Sequence, residues 1–155
     1  CPLHLGVTEA GTERMGIIKS SAAIGGLLCE GIGDTIRVSL TADPVREVYA
    51  ARDLLAALGL EQDRIQFVSC PTCGRCHVDL MHVAEQVESA LAGIHKNIKV
   101  AMMGCAVNGP GEAADADLGI AGGNGEFLLF AKGKPLYKVT PEHVTKALLE
   151  EIDKL

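Results

Sequence analysis

Four cysteines constrain this chain more than any other feature. Cys70-Pro-Thr-Cys73-Gly-Arg-Cys76 sets three thiols at two-residue spacing, and Cys105 follows far downstream within Met-Gly-Cys105-Ala-Val-Asn-Gly-Pro-Gly-Glu112. Thiols so spaced share one turn and can grip one centre, while a Cys in a Gly/Pro-rich loop can close the cage from elsewhere in the fold. The chain must therefore fold so that two distant loops meet.

Its size permits that. At 155 residues, 48% hydrophobic, it can bury a real core as one domain or as a small domain with part of another. The 18 glycines sit singly between apolar runs, as turn and loop residues do. Trp is absent, and two tyrosines and three phenylalanines give little surface for base stacking. The net charge of −6 removes the basic footprint of nucleic-acid binding, so no nucleic acid is expected as a partner. No apolar run approaches the length of a membrane span and no secretory segment precedes the first strand-like stretch, so the expected setting is cytoplasmic, with no membrane partner. A chain that opens at Cys1 directly into Leu3-His4-Leu5-Gly6-Val7 is expected to be a truncated piece of a longer protein, a lipidated mature terminus being the other reading.

Two regions follow one another. Residues 1–60 read as strand 3–7, helix about 20–30, strand Thr35–Leu40 and helix about 44–58, a βαβα order that implies parallel strands. Asp43 is the expected N-cap and Pro44 the first helical residue; Val45, Val48, Leu55 and Leu58 form the expected inner stripe, and Gly59 stops the helix. Two such units cannot cover a parallel sheet on both faces, which fits a larger barrel or sheet cut off upstream. Residues 61–155 read as a compact α+β module. Strand 65–69 leads into the Cys loop; Asp79 caps a helix with the stripe Leu80, Val83, Ala84, Val87 and Leu91; strand 98–103 leads into the Cys105 loop. A hairpin turning at Gly133 spans Phe127 to Val139, and Thr140-Pro141 opens a last helix with Val144, Leu148, Ile152 and Leu155 inward.

By spacing alone, Cys70, Cys73 and Cys76 match the C-x2-C-x2-C run of bacterial-type ferredoxins, with Cys105 as a remote fourth ligand. A structural zinc site could use the same residues. A thioredoxin-like Cys70-Pro-Thr-Cys73 dithiol also suits the preceding strand, but leaves Cys105 and its loop without a role. His77, beside Cys76, invites the zinc reading, though His77, His82, His95 and His143 are expected at the surface. Cys29, next to Leu27-Leu28, reads as a core thiol, and Lys19, near a helix start, as a solvated residue or a weak anion contact. Gly122-Gly-Asn-Gly125 reads as a turn, because no helix start follows it.

Further segments carry a resemblance: His4-Leu-Gly-Val-Thr-Glu-Ala-Gly11, Gly31-Ile-Gly-Asp-Thr-Ile-Arg-Val-Ser-Leu-Thr41, Ser69-Cys-Pro-Thr-Cys-Gly-Arg75 and Asn108-Gly-Pro-Gly-Glu112. Together they make the chain resemble the C-terminal part of the 4-hydroxy-3-methylbut-2-enyl diphosphate synthase family, iron–sulfur enzymes of the methylerythritol phosphate route to isoprenoids. The resemblance runs from residue 2 nearly to the end, residues 140–155 carrying least of it. It implies an α/β chain in which 1–60 are the last βα units of a TIM-type barrel and 61–155 a small α+β [4Fe–4S] cluster domain. It also implies a different ligand set, three Cys and one Glu, matching Cys70, Cys73, Cys105 and Glu112 and leaving Cys76 a bystander. A carboxylate is a harder and more labile ligand than a thiolate, so that corner can open to a substrate oxygen, which an electron carrier does not need.

The implied reaction is reductive ring opening of 2-C-methyl-D-erythritol 2,4-cyclodiphosphate, with loss of water, to 4-hydroxy-3-methylbut-2-enyl diphosphate. Glu9 matches a barrel carboxylate that handles the departing oxygen's proton. Arg37 and Ser39, two apart on one strand, share a face; alternation leaves a salt-bridged barrel role open to Arg37 and a small packing role to Ser39, and the resemblance assigns them to diphosphate. Asn108 could meet the substrate or a cluster sulfur, or serve as a turn residue; His4 could face the diphosphate or be a hydrogen-bonded barrel histidine. Ferredoxin or flavodoxin is the implied electron donor and a homodimer the implied assembly of the full-length protein, with little turnover expected from this chain alone. The alternative is a stand-alone electron-transfer or zinc-stabilised module.

Overall fold

The computed structural model describes residues 1–105, 111 and 113–155, which divide into two compact units, Cys1–Gln62 and Asp63–Leu155. In the first, β1 (His4–Gly6) and β2 (Thr35–Arg37) pair in parallel, with α1 (Glu13–Cys29) between them and α2 (Pro44–Ala57) after. The inner side carries Leu5, Ile36 and Val38, packed with Ile24 of α1 and with Ala50 and Leu54 of α2.

Helix α1 starts at Glu13, well before the expected residue 20. Its buried residues are Gly16, Ser20, Ile24 and Gly25, a stripe of mostly small side chains. Close packing explains them, since a Cβ on Gly16 would lie 2.5 Å from Leu40. Lys19 is consequently a mid-helix surface residue, and Cys29 is exposed at the helix end, not a core thiol. Strand β2 stops at Arg37, short of Leu40. Asp43 does cap α2, accepting from the Val45 N–H at 2.9 Å. Its inner face is centred on Ala50 and Leu54, with the expected Leu58 packed against them, while Val45 and Val48 are 55% and 59% exposed.

The second unit is a five-stranded sheet in sequence order. Strands β3 (Gln66–Ser69), β4 (Lys99–Met103) and β5 (Leu118–Gly122) are parallel, and β6 (Phe127–Ala131) and β7 (Lys134–Val139) continue antiparallel. One face packs against α3 (Leu80–Leu91) and α4 (Val144–Ile152): Val100, Met102, Leu118, Ile120, Phe127 and Leu129 meet Val83, Val87, Leu91, Val144, Leu148 and Ile152. Alternation sends Ala101, Met103, Ala121 and Phe130 to the opposite face, joined by Ala113, Ala116 and Cys70. Gly119 admits the Phe130 ring there, where any Cβ would strike it.

The expected α3 stripe is buried and Asp79 caps the helix through the His82 N–H at 3.2 Å. The β6–β7 hairpin turns through Lys132 and Gly133, both at positive φ (49° and 73°), as a two-residue hairpin turn of the primed kind requires. A bulge between Leu129 and Phe130 shifts the β7 register. Helix α4 is entered through a 3-10 turn, Pro141–His143; Leu155 lies past its end and is 59% exposed, not inward. Among the described residues no helix is long and apolar enough to cross a membrane.

Candidate functional site

Cys70 and Cys105 owe their positions to strand pairing. Ser69, the last residue of β3, pairs with Met102 of β4, and the Cys70 N–H extends that ladder to the Met102 carbonyl at 2.9 Å. Cys105 follows the end of β4 by two residues. Both thiols thus leave the carboxyl edge of neighbouring parallel strands, whose spacing is about 4.8 Å. Cys70 is half-buried, with Sγ 3.2 Å from the Pro71 carbonyl, and Cys73 is exposed on the loop. A recess of roughly 420 Å³ opens beside Cys70 and is walled by Leu80, Met81 and Ala84 of α3.

Cys76 sits differently. A turn ties its N–H to the Cys73 carbonyl at 2.9 Å, its Sγ donates to the Val78 carbonyl at 3.3 Å, and its side chain packs on the α3–α4 core. All six cysteines are free thiols. Asn108 and Glu112 lie outside the described residues. Among the described residues no three His, Cys, Asp or Glu side chains form a metal-holding group. What fits an iron–sulfur cluster is the donor chemistry, soft reduced thiols, on loops that the sheet delivers to one edge.

In the first unit, the loops after β1 and β2 are stapled together. The Thr41 N–H donates to the Gly11 carbonyl at 2.9 Å, and Thr12 bridges to Thr41. Glu9, held at φ 55°, and Ser39 line one recess of roughly 200 Å³ with Gly11 and Thr41. A left-handed Glu is strained, and such strain concentrates at functional positions. Arg37 does not line that recess. It is exposed on β2 and its guanidinium lies across Gly6, where a Cβ would come within 3.1 Å of Nη2. His4 is hydrogen-bonded, Nδ1 to Thr35 Oγ1 at 2.7 Å, and the other four histidines are exposed.

Three supports escaped the sequence reading. Glu47 accepts the Leu40 N–H at 2.8 Å, fixing the loop between Ser39 and Thr41. Glu13 pairs with Arg46 at 2.6 Å, joining the starts of α1 and α2 and raising the Arg46 pKa further. Gly104 and Gly122 close up the ends of β4 and β5 under the Cys loop. Glu13 and Glu47 each had a local signal, an acidic residue in a first helical turn.

A parallel βαβα unit followed by a sheet module with soft donors at its strand ends defines a two-part α/β protein with a candidate metal centre. Residues 1–52 match the GcpE TIM-barrel domain and residues 66–154 the GcpE protein C-terminal domain; the chain belongs to the GcpE family. Curated relatives called 4-hydroxy-3-methylbut-2-en-1-yl diphosphate synthase (flavodoxin) include one from Clostridium tetani, 59% identical over 151 residues, or 97% of this chain and 43% of the relative. That of Geobacter sulfurreducens is 56% identical over 99% of this chain and 44% of its own length, and that of Bacillus licheniformis 54% over 99% and 42%. The chain thus spans under half the length of these relatives.

Proposed function

We propose that the chain takes part in reductive ring opening of 2-C-methyl-D-erythritol 2,4-cyclodiphosphate to 4-hydroxy-3-methylbut-2-enyl diphosphate, its first unit contributing barrel elements and its second a cluster domain. The observation that carries the reading is the β3–β4 register, which brings the Cys70 and Cys105 loops to one edge of a chain whose two parts match the two GcpE domains. Cys70, Cys73 and Cys105, with Glu112 as the exchangeable fourth ligand, would hold a [4Fe–4S] cluster. Bound there, that group supplies single electrons and Lewis acidity.

The chain's own residues do the remainder. Glu9, at the loop after a parallel strand, holds the proton that leaves with the departing hydroxyl as water. The Arg37 fork neutralises diphosphate oxygens and Ser39 donates a hydrogen bond to the same group. Two electrons enter per turnover, from flavodoxin as the relatives' names state for them, or from ferredoxin; the cytoplasm and a homodimer are the setting proposed. A four-thiolate carrier would need Cys76, whose thiol is committed to the Val78 carbonyl and the core.

The test is iron, zinc and acid-labile sulfide per chain after anaerobic reconstitution. About four iron and four sulfide are expected for a cubane, retained in Cys76→Ser and altered in Glu112→Ala. Stoichiometric zinc without sulfide would overturn the reading.

A further inference from the structure

Cys76, Val78, Gly104 and Gly122 come from three separate segments and meet at one point. Gly104 and Gly122 lie side by side at the carboxyl ends of β4 and β5, next to the paired residues Met103 and Ala121. A Cβ on Gly122 would lie 2.7 Å from Val78 Cγ2 and 2.8 Å from the Gly104 carbonyl oxygen. One on Gly104 would lie 3.3 Å from Leu80 Cδ2 and 3.4 Å from Cys76 Sγ. The two bare backbones therefore leave room for the loop side chains, Val78 against Gly122 and Cys76 with Leu80 against Gly104. The Cys76 thiol locks the arrangement by donating to the Val78 carbonyl, and the Leu80 N–H does so from the other side at 2.9 Å.

This contact has a direct bearing on the thiols. Its Cys76 end is tied by a turn to Cys73, and its Gly104 end is the residue before Cys105. No covalent or ladder contact otherwise fixes the 71–78 loop to the loop after β4 among the described interactions.

We propose that Cys76 is a positioning residue: seated against Gly104, with Val78 seated against Gly122, it clamps the Cys70–Cys73 loop to the Cys105 loop so that thiols from both face one centre. The inference rests on the cluster reading above, and deepens it by giving the third thiol of the C-x2-C-x2-C run a role without ligation. Groups that orient metal ligands from behind shift retention of the metal by about ten- to a hundredfold when removed. The clamp is packing plus one weak hydrogen bond, so the lower end of that range applies.

The experiment uses the full chain, reconstituted anaerobically with iron and sulfide, and reads iron per chain, the rate of iron release to a chelator, the EPR signal of the reduced form, and the thermal midpoint of the metal-free protein. Cys76→Ser keeps both the shape and the donor to Val78; it should retain the wild-type iron count, EPR form and release rate. Cys76→Ala and Val78→Ala should start with the same iron count and release it about tenfold faster, with metal-free midpoints close to wild type. Gly122→Ala, which pushes a methyl against Val78 and the Gly104 carbonyl, should also release iron faster but with a lowered metal-free midpoint, and Cys29→Ser, in the other unit, should match wild type. Release at the wild-type rate from both Cys76→Ala and Val78→Ala would overturn the clamp while leaving the cluster reading standing. Loss of iron in Cys76→Ser to the level of Cys70→Ser would overturn it by making Cys76 a ligand. A wild-type chain that takes up no iron and sulfide would sink the clamp and the cluster reading together.

Discussion

Leu148→Ala and Leu155→Ala, made separately, set burial against sequence periodicity. Both leucines fall on the inner stripe that the spacing of the last helix predicts, yet Leu148 is 1% exposed and Leu155 59%. Leu148 packs from α4 into the cluster that holds Val87, Ile120 and Phe127. Removing three of its carbons forfeits about 2.4 kcal/mol at about 0.8 kcal/mol each. The cavity left among strand residues that are themselves fully buried raises this to about 3–5 kcal/mol. Leu155 lies beyond the helix end, and its truncation should stay within about 0.5 kcal/mol of wild type. Urea titration, with hydrogen exchange read on the β5 and β6 amides, isolates the second unit from the first. A Leu155→Ala cost approaching that of Leu148→Ala, or a Leu148→Ala cost below about 1 kcal/mol, would refute the packing argument.

Three other outcomes are expected. Asp79→Ala removes the N-cap of α3 and should cost about 1 kcal/mol in the same titration, with Asp79→Ser retaining most of it. Ser20→Ala should stabilise the first unit by about 1 kcal/mol, since the Ser20 hydroxyl is buried without a hydrogen-bond partner among the described residues; a loss of stability would reveal that the hydroxyl is satisfied. The Glu151 pKa is held below the usual carboxylate value by its hydrogen bond from Lys154 and, further, by that from the Tyr137 hydroxyl. A depressed carboxylate contributes above its unfolded pKa and loses that contribution as pH falls through the folded one, so thermal midpoints of wild type and Glu151→Gln should converge on acidification below about pH 4.

What could be read from the sequence was whatever the chain writes locally. Asp43-Pro44 and Asp79 mark helix starts by capping chemistry, Thr140-Pro141 by the proline at the first turn, and the α3 stripe has large apolar residues at helical spacing, so each was legible. Helix α1 was read short because its buried face is Gly16, Ser20 and Gly25, residues that hydrophobic periodicity passes over, although close approach to Leu40 demands them. The α2 stripe was misplaced at its start for a related reason: Ala50 is the buried residue and the bulkier Val45 and Val48 point outward. The recess pairing Glu9 with Ser39, and the seat of Val78 against Gly122, depend on which strands become neighbours. Parallel pairing across dozens of residues leaves no local trace of that kind.

Sheet β3–β7 ends in a strand that the chain has made a poor template for further growth. Nearly every side chain of β7 is exposed, and Leu136 and Tyr137 are apolar enough to invite a foreign strand. Pro135 withholds a backbone N–H, the bulge opposite Leu129 and Phe130 breaks the regular spacing of the remaining groups, and Lys134 adds a charge, that of Lys138 being paired with Glu126 at 3.2 Å. These are the devices by which soluble β-proteins discourage edge-to-edge aggregation. A second molecule approaching that rim meets an irregular ladder short of one N–H, so the exposed hairpin is a poor seed for recruiting copies of itself into a fibre.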